Sequence, residues 1–297
     1  GSTTWGSAQT VASIRSLEGA GQGNHPGLAR LLMPLSSRVA YGGPIIHQAE
    51  DDHGPLDVVD ESGGLLRSLH FGSPARQSTM FVERPDELAL EYTRCMMTAL
   101  LFMNADPERA LMLGLGGGSL VKFVLRWCEQ CHVDVAELRP SVVDVAQRFF
   151  SLPSEHERLQ VHIGDGNAFV QKQPSAPWDL LLLDLHTSDG MSPVVFAEDF
   201  LPACRRHTAA GGVLAANLWY GIDRLVERRV RQLLESCYDQ VLYLPVAGKL
   251  NCIALGLPGP GLPSWKELET LAQHWLDRAG LPLPELLQYL ARRNPLR

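Results

Sequence analysis

The chain has 297 residues, is 45% hydrophobic and 20% charged, and carries a formal net charge of −7. That length can bury one large core or two smaller ones, and the composition is that of an ordinary globular chain. The negative balance argues against a nucleic-acid partner, which needs a basic surface, and suits a cationic substrate. No apolar run approaches the ~20 residues of a membrane span and no secretory signal pattern opens the chain, so a cytoplasmic protein without a membrane partner is expected.

Residues 1–40 mix Gly, Ser and His with short apolar pieces and read as a loosely attached arm. From 41 to 82 the runs IIHQAE, LDVVDE, LLRSLHFG and QSTMFV alternate between HGP, SGG and GSP turn signals, which predicts a small antiparallel β-hairpin domain. A helix is expected from Glu83, with Pro85 in its first turn and Leu88, Tyr92, Cys95, Met96 and Ala99 on one face.

From Arg109 the chain alternates strand and helix at the rhythm of a parallel sheet. The strands are ALMLGL, HVDVAEL, LQVHIG, WDLLLLDL and GVLAANLW, with helices beginning near Ser119, Pro140, Asp165, Phe196 and Ile222. YDQVLYLPV and LNCIALGLP lie too close together for a crossover and are expected as a hairpin. The resulting fold class is α/β: a class I methyltransferase-like, Rossmann-like seven-stranded sheet over 83–257, carrying the small N-terminal antiparallel domain. GLPGPGLP (256–263) reads as a linker to a helical tail, 258–297, of two helices broken at Gly280–Pro284.

Six cysteines are scattered through apolar segments and fit reduced, buried thiols better than a disulfide framework. Cys128 and Cys131 have CxxC spacing with His132 next to them, but no second pair follows, so a helix end is the plainer reading and no metal is expected. LVERRVRQLLE (225–235) reads as a solvated helix face.

The chemistry concentrates at the strand ends, where open α/β sheets bind ligands. The loop after the first parallel strand supplies Gly114, Gly116 and Gly118 ahead of a helix N-terminus. Glu137 ends the second strand about 20 residues further on, where a carboxylate meets ribose hydroxyls, with Leu138 beside it. Asp165 and Gly166 follow the third strand, near an adenine amine or simply capping a helix. Asp184 ends the fourth, and His186 and Asp189 lie in the loop beyond it. His186 and His207 are candidate bases, and Trp219-Tyr220 a candidate pocket wall or packing pair.

The string GLGGG…AELRP…IGDG…WDLLLLD…GGVL resembles the spermidine synthase family of aminopropyltransferases over roughly residues 40–257. That resemblance implies polyamine biosynthesis: transfer of the aminopropyl group of decarboxylated S-adenosylmethionine to a small-molecule amine acceptor. It implies that Glu137 binds the ribose, Asp165 the adenine, and that Asp184 orients and helps deprotonate the attacking amine. Gln77 resembles the family's glutamine and Tyr92 its active-site tyrosine. It also suggests a homodimer. Three departures stand out. The family loop GGGDGG puts an aspartate where Gly117 stands. Its DSSDP-like signature is DLHTSDG here, leaving Asp189 as a substitute for the second aspartate. Arg139 replaces the aspartate of EID. An uncharged loop loses a charge-assisted bond to the donor's ammonium and removes repulsion against the carboxylate of ordinary S-adenosylmethionine. A methyltransferase on the same fold, or a non-catalytic nucleoside-binding homologue, therefore stays open beside aminopropyl transfer.

Overall fold

The computed structural model describes residues 40–172, 174–187, 190–219, 224–259 and 261–296, so the arm before Ala40 lies outside the described residues. Strands β1 (Ile45–Asp51), β2 (Gly54–Glu61), β3 (Leu66–His70) and β4 (Arg76–Phe81) pair antiparallel in that order. Leu56, Val58, Leu69 and Met80 from this sheet join the same buried cluster as the large sheet. The small sheet therefore shares its core with the rest.

The helix expected from Glu83 begins instead at Glu91. Residues 83–90 are taken up by turns, with Arg84 N–H donating to Phe81 O at 3.2 Å and Glu87 N–H to Arg84 O at 3.1 Å, and the chain is extended at Leu90. Helix α1 (Glu91–Met96) then tightens into a 3-10 turn over Met97–Phe102, every residue of which is buried. With no solvated face to keep, packing rather than helical periodicity sets the geometry.

The sheet that follows matches the alternating pattern. In chain order it comprises β5 (Arg109–Leu113), α2 (Ser119–Trp127), β6 (His132–Glu137), α3 (Pro140–Phe149), β7 (Leu159–Ile163), α4 (Gly166–Gln171) and β8 (Trp178–Leu183). A two-residue hairpin, β9 (His186–Thr187) and β10 (Gly190–Met191), was not anticipated; it interrupts the crossover before a 3-10 turn at Pro193–Phe196. Consequently α5 runs Phe200–His207, starting later than Phe196. β11 (Thr208–Trp219), α6 (Arg224–Cys237), β12 (Gln240–Pro245) and β13 (Asn251–Leu257) complete the sheet. Gly256 and Leu257, read as linker, belong to β13.

Strand order is β12-β13-β11-β8-β5-β6-β7. β5, β6, β7, β8 and β11 are mutually parallel, while β13 lies antiparallel between β11 and β12. Alternate residues of each strand feed two cores. Met112, Val135, Leu182 and Ala215 face α1, α2, α3 and the tail helices, whereas Leu111, Ala136, Leu181 and Leu214 face α4, α5 and α6. That two-faced burial is why the strands read as continuous apolar runs.

Helix α7 (Trp265–Ala279) opens on a capping box between Ser264 and Glu267 and ends at Gly280 with φ 66°. α8 (Leu283–Ala291) follows, with Leu283, Leu287 and Leu290 buried. Among the described residues no helix is long and apolar enough to cross a membrane.

Candidate active site

The strand order reverses between β5 and β8, and a cavity of about 610 Å³ opens there at the C-terminal strand ends, closed above by β3 and β4. Its floor is the glycine loop. Gly114 has φ 86°, and a side chain there would place a Cβ 2.4 Å from the Asp184 carbonyl. Gly118, at φ 70°, turns the chain into α2 as its N-cap. Gly114, Leu115 and Gly116 face the cavity.

Gly117 faces away from it. A Cβ at 117 would stand 2.7 Å from Ser78 Oγ and 2.9 Å from Phe150 Cδ1. The place where the resembling loop carries its aspartate is packed by neighbours, so the missing charge comes with a filled space behind the loop.

Glu137, at the end of β6, is 7% exposed. Its two oxygens accept the Leu115 N–H and the Arg139 N–H, each at 2.9 Å. Burial pushes this carboxyl above its ordinary value, against the pull of those backbone donors and of the Arg139 charge. Leu138 is 48% exposed on the cavity wall. Arg139 turns back from the cavity to the small sheet, donating to Gly54 O at 2.8 Å and pairing with Asp51 at 2.9 Å, with its guanidinium 4.7 Å above the Phe71 ring.

Asp184, at the end of β8, is held by three donors: Tyr92 Oη at 3.0 Å, Asn217 Nδ2 at 2.8 Å and His186 Nδ1 at 3.1 Å. Burial alone would raise this carboxyl, but the His186 bond and charge, then Asn217 and Tyr92, outweigh it and hold it below the usual carboxylate range. Burial and the Asp184 charge together push the Tyr92 phenol well up, so it remains a donor. An ionised carboxylate only accepts, which puts the His186 proton on Nδ1. Asn251 Nδ2 in turn donates to Asn217 Oδ1 at 2.9 Å.

Most of the residues expected from the sequence meet here: Gln77, Tyr92, Gly114, Gly116, Glu137, Leu138, Asp184, His186 and Trp219 all line this cavity. Gln77 sits on β4 beside the glycine loop. Trp219 packs on Gly190, where a Cβ would come within 2.6 Å of the ring. Asp165 and Gly166 do not share this lining. Asp165 accepts the Ala168 N–H at 2.7 Å as the cap of α4 and borders a second cavity of about 590 Å³ along β6 and β7, while Gly166 is buried in α4. Asp189 and Tyr220 lie outside the described residues. His207 is at the end of α5, edge-on to Trp178.

Sequence reasoning missed Asn217, Asn251 and Lys249. Asn217 carried a signal, being a polar residue inside the apolar run VLAANLW. It also missed the wall formed by Glu61, which is 3% exposed and bonded to Ser68 Oγ and the Arg76 guanidinium. Cys128 and Cys131 are buried where α2 hands over to β6; burial pushes the Cys128 thiol to about 12 and the Cys131 thiol further up. No cluster of His, Cys, Asp or Glu able to hold a metal occurs among the described residues.

A seven-stranded sheet of this order, with a glycine loop and acidic strand ends around one cavity, defines an α/β protein of the methyltransferase-like fold class. Residues 89–247 match the model of the spermine/spermidine synthase domain. The polyamine aminopropyltransferase of Chromobacterium violaceum is 32% identical over 240 residues, covering 80% of this chain and 90% of that protein. Two solved structures share the fold. A spermidine synthase in complex with the transition-state analogue AdoDATO superposes with a TM-score of 0.60 at 16% identity, over 85% of this chain and 90% of that one. Human methyltransferase-like protein 13 in complex with SAH superposes with a TM-score of 0.58 at 24% identity, over 67% of this chain and 93% of that one. The chain belongs to the spermine/spermidine synthase family.

Proposed function

We propose that the protein is an aminopropyltransferase that moves the aminopropyl group of decarboxylated S-adenosylmethionine to an amine acceptor. The observation that carries this reading is the Asp184 carboxylate, fixed by Tyr92, His186 and Asn217 in the cavity that also holds the glycine loop and Glu137. The family supplies the reaction class, and the buried, unpaired thiols agree with a cytoplasmic setting.

In this reading Glu137 accepts the ribose hydroxyls, and the loop from Gly114 to Gly116 lets the backbone approach the nucleoside. The acceptor nitrogen attacks the aminopropyl carbon bonded to sulfur. The carbon–sulfur bond breaks as the carbon–nitrogen bond forms, and methylthioadenosine leaves with the electron pair. The sulfonium is already a good leaving group, so alignment provides most of the rate. An alkylammonium titrates near pH ~10, far above a carboxylate lowered from ~4, so Asp184 does not remove that proton on its own. It orients the neutral amine and stabilises the positive charge that grows on nitrogen during attack. The secondary ammonium formed by the transfer is about as basic as the primary amine, so its proton passes to solvent only as the product leaves, with Asp184 and His186 as its first polar contacts.

A second reading follows from Gly117. With no loop charge to hold an ammonium, ordinary S-adenosylmethionine meets no repulsion, and a methyl transfer becomes accessible on the same scaffold. Calorimetric titration with both donors, followed by product analysis with a panel of amines, separates the two. Tighter binding of the decarboxylated donor and release of methylthioadenosine are expected. Preference for the carboxylated donor, with adenosylhomocysteine as product, would replace the aminopropyl reading by the methyl one.

A further inference from the structure

The face of the large sheet that packs against α1 carries two apolar rows toward the site. Val213 and Ala215 on β11, and Leu255 and Ile253 on β13, are fully buried there. Continued by the two-residue period of a strand, those rows end at Asn217 and Asn251. Asn217 pairs with Ile253 across the sheet and Asn251 with Trp219, so the two amides are diagonal neighbours on one face. Asn217 is 4% exposed, and a buried amide is costly unless its polar atoms find partners.

The direction of both amides follows from Asp184. An ionised carboxylate only accepts, so Asn217 presents its NH2 to Asp184 Oδ1 at 2.8 Å and turns its carbonyl oxygen the other way. That oxygen accepts the NH2 of Asn251 at 2.9 Å. Both amides therefore donate toward the reaction centre, and each bond polarises the next. A reversed Asn217 would set its oxygen against the carboxylate and leave two NH2 groups facing each other. It would also withdraw one of the three donors that keep Asp184 charged.

Resting on the aminopropyl reading, we propose that Asn251 is a positioning residue for the transfer. It fixes the direction of the Asn217 amide, and through Asn217 the orientation of the Asp184 carboxylate toward the attacking nitrogen. Asn251 takes no part in the bond changes. Its effect falls on kcat, because in that reading Glu137 and the glycine loop grip the nucleoside. The side chain at 251 then matters in a definite order. Alanine removes one donor and leaves Asn217 directed by Asp184 alone. Aspartate has nearly the same shape but sets an acceptor against the Asn217 oxygen, which drives that amide to turn round.

Turnover with the decarboxylated donor and 1,4-diaminobutane, read as methylthioadenosine release, tests the order. The kcat should fall roughly tenfold for Asn251→Ala and about 10²-fold for Asn251→Asp, with the calorimetric affinity for methylthioadenosine unchanged in both. In an Asn217→Ala background, Asn251→Ala should change kcat by less than about twofold, because the residue through which it acts is gone. An unchanged kcat, an equal loss in either background, a milder effect of aspartate than of alanine, or a loss of nucleoside affinity would each overturn the proposal. A readout without turnover is the side-chain amide resonance of Asn217, identified by its disappearance in Asn217→Ala. The proton bonded to Asp184 should lie downfield of free amides, and Asn251→Asp should return it toward them; an unmoved signal would refute the assignment. The aminopropyl reading fails by a different result: the unaltered protein releases no methylthioadenosine with any amine, while the amide signal still reports whether Asn251 directs Asn217.

Discussion

Asp184 stays charged because three donors outweigh the burial that would neutralise it. On the proposed reading Asp184→Asn keeps the shape but removes the charge that would meet the developing ammonium, and turnover measured by methylthioadenosine release should fall on the order of 10²-fold or more. A lowered carboxyl contributes stability above its unfolded pKa near ~4 and loses it as pH falls through the folded value, so Asp184 favours the fold throughout the neutral range. Glu137 has the opposite sign. Its folded carboxyl is raised by burial, so ionising it costs stability as pH rises through that value. On the proposed reading Glu137 binds the donor in its ionised form, so donor affinity should weaken as pH drops from 8 toward 5, at a higher pH than an exposed glutamate would give. Calorimetric dissociation constants across that range provide the check, and Glu137→Gln should flatten the dependence. At Gly117 the obstacle is space. Gly117→Asp must displace Ser78 or Phe150, and should lower stability by about 1–3 kcal/mol in urea unfolding without improving donor binding.

At the scale of elements, Arg139 explains how the small sheet is fixed over the site. It leaves the end of β6, bonds Asp51 and Gly54 of the β1–β2 hairpin and stacks on Phe71 just beyond β3. These bonds and the Ser141 hydroxyl overcome burial and hold the Asp51 carboxyl down at about 2. Arg139→Met should cost about 1–3 kcal/mol, less than a fully buried pair because Asp51 is 23% exposed, and should increase amide hydrogen exchange in β1 and β2 before the seven-stranded sheet. A slower exchange in the large sheet's flank than in the hairpin would argue that the tie works as described; equal exchange would refute it. Lys122 is a second tie. Buried on α2, its ammonium reaches the Met80 sulfur of β4 at 3.2 Å and donates to the Phe150 carbonyl after α3, and burial brings it down to about 8.

For the molecule as a whole, five of the six cysteines, all but Cys237, are buried, and burial raises the thiols of those five. A thiol reagent at neutral pH should modify about one cysteine in the native protein and all six after denaturation, since thiolate and access are both needed. Rapid native labelling of Cys128 or Cys131 would show that the CxxC segment is more open than its packing indicates. The shared cluster of Leu56, Leu69, Met80, Met112 and Leu182 makes the two sheets one cooperative core. A single urea transition by fluorescence and circular dichroism is the expected behaviour.

The parallel sheet was legible in the sequence because a strand covered on both faces is written as an unbroken apolar run, as in WDLLLLDL. The terminal hairpin was legible because so short a link forbids a crossover. Glu137, Asp184 and the glycines could be read because their positions follow from where strands end, a local property of the chain. The start of α1 was not legible, since residues 83–90 keep a helical spacing that turns and burial override. Nor was the environment of Asp184: Tyr92, Asn217 and Asn251 come from three distant segments, and only the folded sheet brings their donors within 3.0 Å of a partner. The sequence by itself determined the scaffold and the acidic strand ends, because backbone periodicity and turn chemistry act within a few residues. The tertiary structure alone decided that the space behind Gly117 is filled, that Asp165 caps its helix beside another cavity, and that Asn217 and Asn251 line up behind Asp184. Those are facts of packing and charge pairing between segments far apart in the chain.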